Sequence, residues 1–502
     1  MAKQHSREDW EKKAAALSFE TQMFINGQYR DAKEGGRFET INPATGDVIT
    51  SVSEGKSSDI EDAVAAARKA YRSGVWARKE PRERMRILYH FAELVEAHTE
   101  EFALLDTLDT GKPIVPALQG DIPLCASTIQ YFAELIDKHE GLVTATRHDA
   151  LHYVVRQPFG VVGLIVPWNF PLLMAVWKVA PALATGNSIV LKPAEQSPLS
   201  ALLLARLFME AGGPAGVLNV VPGFGEHAGK ALALHNDVDK VAFTGSAEVG
   251  KLMMVYAGQS NMKRVTTECG GKTPQIILKD APDIDKAVTY AVNGIYENQG
   301  EVCSAGSRIL VERSIYDEVV NRFEIKTRET ISVGHPFDPS TTMGSLITKQ
   351  HQKRVLDYIE IGKQEGAQLK FGGSEGTGDL AKGAYVEPTL FTNVDGTMRI
   401  AQEEIIGPVA GILPIDNLEH GLEVANDTTF GLAASVWTSD VSRAHSFARD
   451  VEAGIVWVNC FDHGDATSPW GGFKQSGNGR DKCRETFDQY TQTKSVWVEL
   501  GD

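Results

Sequence analysis

The sequence predicts an α/β protein built on two doubly wound parallel sheets. Three observations lead there. From Val161 to Phe243, short apolar runs alternate with helical stretches. A second alternation runs from about Pro274 to Gly472. The chain has 502 residues, too many for one ordinary core, so two or more domains are expected. Strands covered on both faces read as unbroken apolar runs, and helices between them make the sheet parallel.

Taken in order, Met1 to Phe19 is polar, either a loose arm or a short helix. Phe24 to Tyr29 reads as a hairpin turning on Asn26-Gly27, and Asn42 to Gly46 as a second turn. Helices follow over Ile60 to Ser73 and Arg82 to Thr99, the latter with an apolar stripe at Leu88, Phe91, Ala92 and Leu94. Another runs from about Ile122 to Asp137, and Val143 to Arg156 supplies one or two strands. Then come strands Val161–Val166, Ser188–Leu191, Val217–Val221 and Lys240–Phe243, separated by helices Pro171–Leu183, Leu199–Glu210 and Glu226–Leu234. The second region offers strands Gln275–Leu278, Arg308–Val311, Val409–Leu413, Ala433–Trp437 and Gly454–Asn459, with helices Ile315–Glu329 and Lys349–Glu365. The tail alternates, with Val496, Val498 and Leu500 on one face of a strand. It has no obvious partner of its own, which suggests pairing across subunits.

Composition excludes several classes. A net charge of -16 argues against nucleic acid and acidic membrane surfaces. The 5 cysteines are scattered, with no CxxC or Cys/His cluster, so neither a disulfide framework nor a metal site is expected. The charged start lacks the apolar core of a signal peptide, and no apolar run would span a membrane. A cytoplasmic location is the default expectation.

Ligands of doubly wound sheets bind outside the carboxyl ends of the strands. There stand Pro167, Trp168 and Asn169, then Lys192 to Glu195, then Pro222 to Gly225, then Thr244, Gly245 and Ser246. Glycines, a lysine and a glutamate able to bind ribose make a nucleotide site plausible. Phe243 to Gly250 lacks the GxGxxG fingerprint and alone would be only a strand-to-helix turn. The following helix would still offer free N–H groups to a pyrophosphate.

Three further stretches carry chemistry. Glu297 to Arg308 places Cys303 on a Gly-flanked connection between a helix, roughly Ile284 to Tyr296, and a strand. Either it is an inert buried thiol, the commoner case, or it is a nucleophile if a base or positive field makes it a thiolate. Thr267-Glu268-Cys269-Gly270-Gly271-Lys272 puts a carboxylate at a strand end beside two glycines that permit close packing. Such a Glu is most often merely solvated. Pro167-Trp168-Asn169-Phe170-Pro171 puts Asn169 where a helix cap would stand.

These motifs, with Glu403 to Val409, resemble those of the aldehyde dehydrogenase superfamily over about Phe24 to Val498. The resemblance implies an NAD-binding domain from 1–140 and 160–270, a catalytic domain from 271–477, and an oligomerisation arm from 141–159 and 487–502 of a homodimer or homotetramer. It implies Cys303 as nucleophile, Glu268 as the base that activates water, Asn169 as oxyanion donor with the Cys303 backbone N–H, and Lys178 as support for that geometry. The NAD wall would comprise Ile165, Val166, Pro167, Trp168, Lys192, Ala194, Glu195, Gly225, Phe243, Thr244, Gly245, Ser246, Val249, Cys269, Gly270, Glu404 and Ile406. Glu195 would repel a 2′-phosphate and favour NAD over NADP. The substrate, a small aldehyde, would meet Phe170, Met174, Trp177, Glu297, Val302, Ser304, Phe461 and Trp470. That aromatic tunnel suits an arylalkyl or a cationic aldehyde. Ser476 to Lys482 is similar to the bacterial gamma-glutamyl-gamma-aminobutyraldehyde dehydrogenase branch, which also covers broad-specificity enzymes.

Departures from the family pattern stand out. Cys269 replaces a usual Leu, as either an inert small apolar residue or a second thiol. Ile406 replaces Phe, Glu301 often Gln, and Glu297 a common aromatic. Arg484 stands where a second glutamate, sometimes given a proton-relay role, is expected. Asp121, Glu297 and Asp462 could leave uncompensated negative charge at the tunnel. Two alternatives remain: a CoA-acylating enzyme, which would usually lack Glu268, and a catalytically silent structural member, which would need to lose Cys303 or Glu268.

Overall fold

The computed structural model describes residues 5–501. In the first of its two seven-stranded sheets, Val161–Ile165, Ser188–Lys192 and Leu218–Val220 step outward in one direction. Lys240–Gly245 and Arg264–Cys269 lie on the other side of Val161–Ile165, and all five strands are parallel. The order therefore reverses between Val161–Ile165 and Lys240–Gly245. A crevice must open there, at the carboxyl ends carrying Pro167 to Asn169 and Thr244 to Ser246. The hairpin Met23–Ile25 with Gln28–Arg30 adds two antiparallel strands at the far edge. Asn26 (φ 52) and Gly27 (φ 79) adopt the left-handed pair that a two-residue hairpin turn needs.

The second sheet orders Gln368–Phe371, Thr389–Thr392, Val409–Ile415, Arg308–Glu312, Pro274–Ile277, Ala433–Trp437 and Ile455–Val458. Only Gln368–Phe371, at the edge, is antiparallel. Its central strands are buried along their whole length, as continuous apolar runs require.

Helix Thr99–Thr110 escaped the sequence pattern, as did Leu418–Asn426 and Val441–Asp450. Thr99–Thr110 is buried at every residue from Phe102 onward, so no polar stripe marks it. It holds two buried carboxylates against the starts of other helices. Asp106 accepts the Leu172 N–H (3.4 Å) and Asp109 the Leu199 N–H (3.1 Å). These amides are orphan donors of helices Pro171–Ala184 and Leu199–Glu210, where negative charge is favoured.

The expectation of a partnerless tail is corrected. Thr491–Glu499 pairs antiparallel with Ala150–Pro158 of its own chain, from Thr491 opposite Pro158 to Glu499 opposite Ala150. Leu142–Val143 completes a three-stranded sheet. Partners so far apart in sequence share no local signal. This sheet leaves Leu142 64%, Val143 76% and Trp497 52% exposed.

Asn187 fastens the tail to the first sheet. It is fully buried, accepts the Gly160 N–H (3.0 Å), and donates to the Tyr490 carbonyl (2.9 Å) and Thr185 Oγ1 (2.9 Å). Asn187→Leu would strand the Gly160 donor and the Tyr490 acceptor in a dry interior. The expected loss is about 2–4 kcal/mol of unfolding free energy. Urea unfolding followed by tryptophan fluorescence checks it, and an unchanged midpoint refutes it.

Candidate active site

Cys303 sits beyond a strained turn. Helix Ile284–Tyr296 ends, and Asn298 (φ 46), Gln299 (φ 58) and Gly300 (φ 71) follow in left-handed conformation. Such backbone persists only where surroundings over-determine it. Asn298 Nδ2 donates to the carbonyls of Asn169 (3.0 Å) and Glu301 (3.2 Å), and Gln299 Oε1 accepts the Gly344 N–H (3.0 Å). At Gly300 a Cβ would come 2.3 Å from the Gly407 carbonyl oxygen, so the residue must be glycine.

The same contacts bring the Asn169 loop to the thiol. Asn169, 9% exposed, donates Nδ2 to the Glu301 carbonyl (2.9 Å), two residues before Cys303. An amide carries two N–H donors, so a second remains unused in the cleft that Asn169 and Cys303 both line. Burial pushes the Cys303 thiol up to about 12, and the carboxylates of Glu404, Asp462 and Glu268 push in the same direction.

Glu268 ends strand Arg264–Cys269 with both carboxylate oxygens buried and without a hydrogen-bond partner. A Cβ at Gly471 or Gly479 would come within 2.7 Å of Oε1, so these glycines make its room. Burial holds its carboxyl well above the usual range. Asp481 adds to that, while Lys178 and Arg480 oppose it.

Asp481 was missed in the sequence, and it corrects the assignment at Arg484. Asp481 is buried and pairs with buried Lys178 (Nζ to Oδ2 2.8 Å). Arg484 lies at the surface, donating to the Lys138 carbonyl (3.1 Å). The acid next to the base is thus supplied directly after Arg480, and the signal was its place behind the Gly477-Asn478-Gly479 turn.

A cleft of about 660 Å³ joins the crevice to the thiol. Pro167, Trp168, Asn169, Met174, Thr244, Gly245, Ser246, Cys269, Gly270, Cys303, Glu404 and Ile406 line it, together with His351 and Arg354, which the sequence did not single out. Ser246 caps helix Ala247–Gln259, its Oγ accepting the Val249 N–H (3.3 Å). Thr244 Oγ1 and Glu404 Oε1 are buried polar atoms without partners. A Cβ on Gly270 would fall 1.4 Å from Glu404 Oε1, so this glycine cannot be replaced with the carboxylate in place. A helix N-terminus for phosphate and an unsatisfied carboxylate for ribose hydroxyls fit a dinucleotide. Ile406, β-branched at φ 57, is strained, and its carbonyl is held by His351 Nε2 (2.5 Å). Burial keeps that histidine neutral, at about 4.

Most of the other expected cofactor residues do not line this cleft. Ile165, Val166 and Phe243 are buried at strand ends. Lys192 and Ala194 are also buried and, with Glu195, stand beyond this cleft, Lys192 Nζ bonded to Glu195 Oε2 (2.9 Å). Gly225 and Val249 are exposed. Cys269 is buried, its thiol pushed to about 12 by burial and then by Glu268 and Glu404.

On the substrate side, Trp177 meets Trp470 edge-on (5.5 Å), and Trp457 meets Phe461 (4.8 Å) and Trp470 (6.4 Å). Lys482 Nζ lies 5.4 Å from the ring centroids of both Trp177 and Trp470. Val302 is half-buried, whereas Ser304 is wholly enclosed, so its expected substrate contact is corrected.

The expectation of uncompensated acids is corrected in part. Asp121 forms an ion pair with Lys112, which is 1% exposed and stacks over Phe170 (4.2 Å). Glu297 and Asp462 are exposed, and no lysine or arginine pairs with either at salt-bridge distance among the described residues. Burial raises both carboxyls. Asp462 and then Asp121 add to the effect on Glu297 against Lys112, while Lys482 and then His463 oppose it at Asp462.

A half-buried cysteine, an amide donor and a buried glutamate thus stand beside a cleft that fits a dinucleotide. The aldehyde dehydrogenase family profile matches residues 29–496, and the chain belongs to that family. The NADP/NAD-dependent aldehyde dehydrogenase PuuC of Escherichia coli is 48% identical over 98% of both chains. Aminoacetaldehyde dehydrogenase of Pseudomonas aeruginosa is 43% identical over 99% of both. The crystal structure of an indole-3-acetaldehyde dehydrogenase complexed with NAD+ superposes with a TM-score of 0.97 at 51% identity, covering 99% of this chain and 100% of that one. The protein is therefore an oxidoreductase that oxidises aldehydes.

The raised thiol yields a direct test. Carboxamidomethylation of Cys303 by iodoacetamide in cofactor-free protein should accelerate about tenfold per pH unit, without a plateau, up to about pH 10. Peptide mass spectrometry reads the Cys303 adduct, and a plateau below about pH 9 contradicts the resting state described.

Proposed function

We propose that the chain oxidises aldehydes to carboxylic acids through a covalent Cys303 thioester, with NAD as the preferred acceptor. The observation that carries this reading is the meeting of Cys303 and the Asn169 amide on two clamped loops, with an unpartnered Glu268 carboxyl at a strand end whose charge reaches the thiol. Thr244 to Ser246 with Gly270 and Glu404 would hold NAD, and bound NAD supplies the hydride acceptor. Glu195 places a carboxylate where a 2′-phosphate would be repelled.

The chain's own residues do the rest. Cys303 must lose its proton before it adds to the carbonyl carbon, because its resting thiol is neutral at physiological pH. Addition turns the carbonyl oxygen into an oxyanion, which the free Asn169 N–H and the Cys303 backbone N–H stabilise. Once the carbon gives up hydride, the acyl group remains on Sγ as a thioester. Glu268 then takes a proton from water, the resulting hydroxide attacks the thioester, and Cys303 leaves as the sulfur group. The room around Glu268, set by Gly471 and Gly479, favours water over the bulk of CoA. The presence of both Cys303 and Glu268 argues against a silent structural member.

Aldehyde-dependent NADH formation without CoA tests the reaction. Cys303→Ala should abolish it. Asn169→Ala should lower kcat/KM about 100-fold or more, some 3 kcal/mol of transition-state stabilisation. Full activity of either variant, or an absolute need for CoA, contradicts the mechanism. The exposed apolar face that Val143, Leu151 and Val498 share supports assembly into a homodimer or homotetramer.

For substrate we infer an arylalkyl or amine-bearing aldehyde. Trp177, Trp470, Trp457 and Phe461 furnish the aromatic wall. Glu297 and Asp462 at the mouth favour a cation, and Lys482 offsets one of them. An aminoaldehyde should therefore show a lower KM than succinic semialdehyde. Glu297→Gln should narrow the gap, and added salt should narrow it too, because exposed charges are screened. A ratio that is reversed, or indifferent to Glu297→Gln, would leave specificity to the aromatic wall alone.

A further inference from the structure

Strand Lys240–Gly245 lies beside Arg264–Cys269 with Lys240 opposite Arg264, Ala242 opposite Thr266 and Thr244 opposite Glu268. Opposed residues of a ladder share a face, and alternate residues along a strand share it too. Arg264, Lys240, Thr266 and Glu268 therefore line one face, from the exposed end of the strands to the active site. The end of the chain covers this face. A Cβ on Gly479 would stand 2.7 Å from Glu268 Oε1 and 3.2 Å from Thr266 Cβ, while Asp481 and Tyr490 are buried nearby.

Lys240 on this face has no solvent exposure. Its Nζ donates to Thr266 Oγ1 (2.8 Å) and lies 5.2 Å from the Tyr490 ring centroid. Among the described residues no carboxylate pairs with it directly. A buried ammonium with one hydroxyl and one ring for company is costly, and simple packing would be better served by an apolar residue.

We propose that Lys240 is a positioning residue whose charge, acting through the buried Lys178–Asp481 pair, sets the proton affinity of Glu268. The inference rests on the reading of Glu268 as the hydrolytic base. The charged and titratable groups around this face are Glu268, Asp481, Lys178, Arg264, Arg480 and Tyr490. Burial first, then the charges of Lys178 and Arg264, bring Lys240 down to about 7, with Asp481 opposing. When Lys240 is protonated, Asp481 is better neutralised and repels the Glu268 carboxylate less.

The sign of the effect follows. Glu268 acts when ionised, so kcat for hydrolysis falls on the acid side as its carboxylate takes up a proton. Removing the Lys240 charge raises that proton affinity and moves the acid limb to higher pH. In Lys240→Met the limb should move up by about one pH unit, with the first-turnover NADH burst retained while steady-state turnover slows. Thr266→Val, which removes only the hydrogen bond to Nζ, should give a smaller shift in the same direction. It keeps the test open if Lys240→Met does not fold. A limb unmoved in the folded variants, or kcat lowered equally at all pH values, overturns the proposal. Glu268→Gln separates the two readings. If it retains steady-state turnover, the base assignment fails. If it stalls after the burst while Lys240→Met keeps the wild-type limb, only the role of Lys240 fails.

Discussion

The site depends on one hydrogen-bonded clamp between loops from two different sheets. The Asn298 amide reaches the Asn169 carbonyl, and the Asn169 amide reaches the Glu301 carbonyl. Neither loop has regular structure to hold it, and the Cys303 side carries consecutive left-handed residues. Reciprocal bonds make the strain tolerable, because each loop supplies the donors the other lacks. The relative placement of the Cys303 thiol and the Asn169 amide is thus fixed by the fold itself. Preorganised donors stabilise developing charge without reorganising at the moment of reaction.

That placement lies in a poor environment for charge. Burial disfavours the ionised forms of Cys303, Glu268 and Glu404 together, and each of these acids raises the Cys303 thiol further. Three like-sign groups in one dry pocket cannot all ionise at once, so their protonation states are linked. The counterweight is the cationic set behind the base, Lys178 and Arg480 for Glu268 and Lys272 and Arg354 for Glu404. The resting enzyme thereby keeps a quiet thiol, and its reactive form needs proton movement within the pocket.

Sequence reading reached the architecture because periodicity is local. Leu199–Glu210 and Ala433–Trp437 have the predicted bounds. It missed helix Thr99–Thr110 because a helix buried all round shows no stripe. It left the tail strand unpaired because an antiparallel partner at long range leaves no mark in either segment. At the site, motif positions brought Asn169, Glu268 and Cys303 together correctly in space, but charge partners stayed hidden. Asp481, Lys112 and Lys240 come from separate parts of the chain, and only folding sets each beside the group it influences.

Those hidden partners change how the acids of the tunnel should be understood. Counting Asp121, Glu297 and Asp462 in the sequence gives three negative charges. In the folded chain Asp121 is bound to a lysine that also stacks on Phe170, so its charge is spent within the wall. Lys482 sits between two indoles next to Asp462, so a cation already occupies the best cation–π position of the wall. If the chain takes an amine-bearing aldehyde, as proposed, exposed Glu297 is the acid left to attract it, and the aromatic faces it meets already carry an internal lysine.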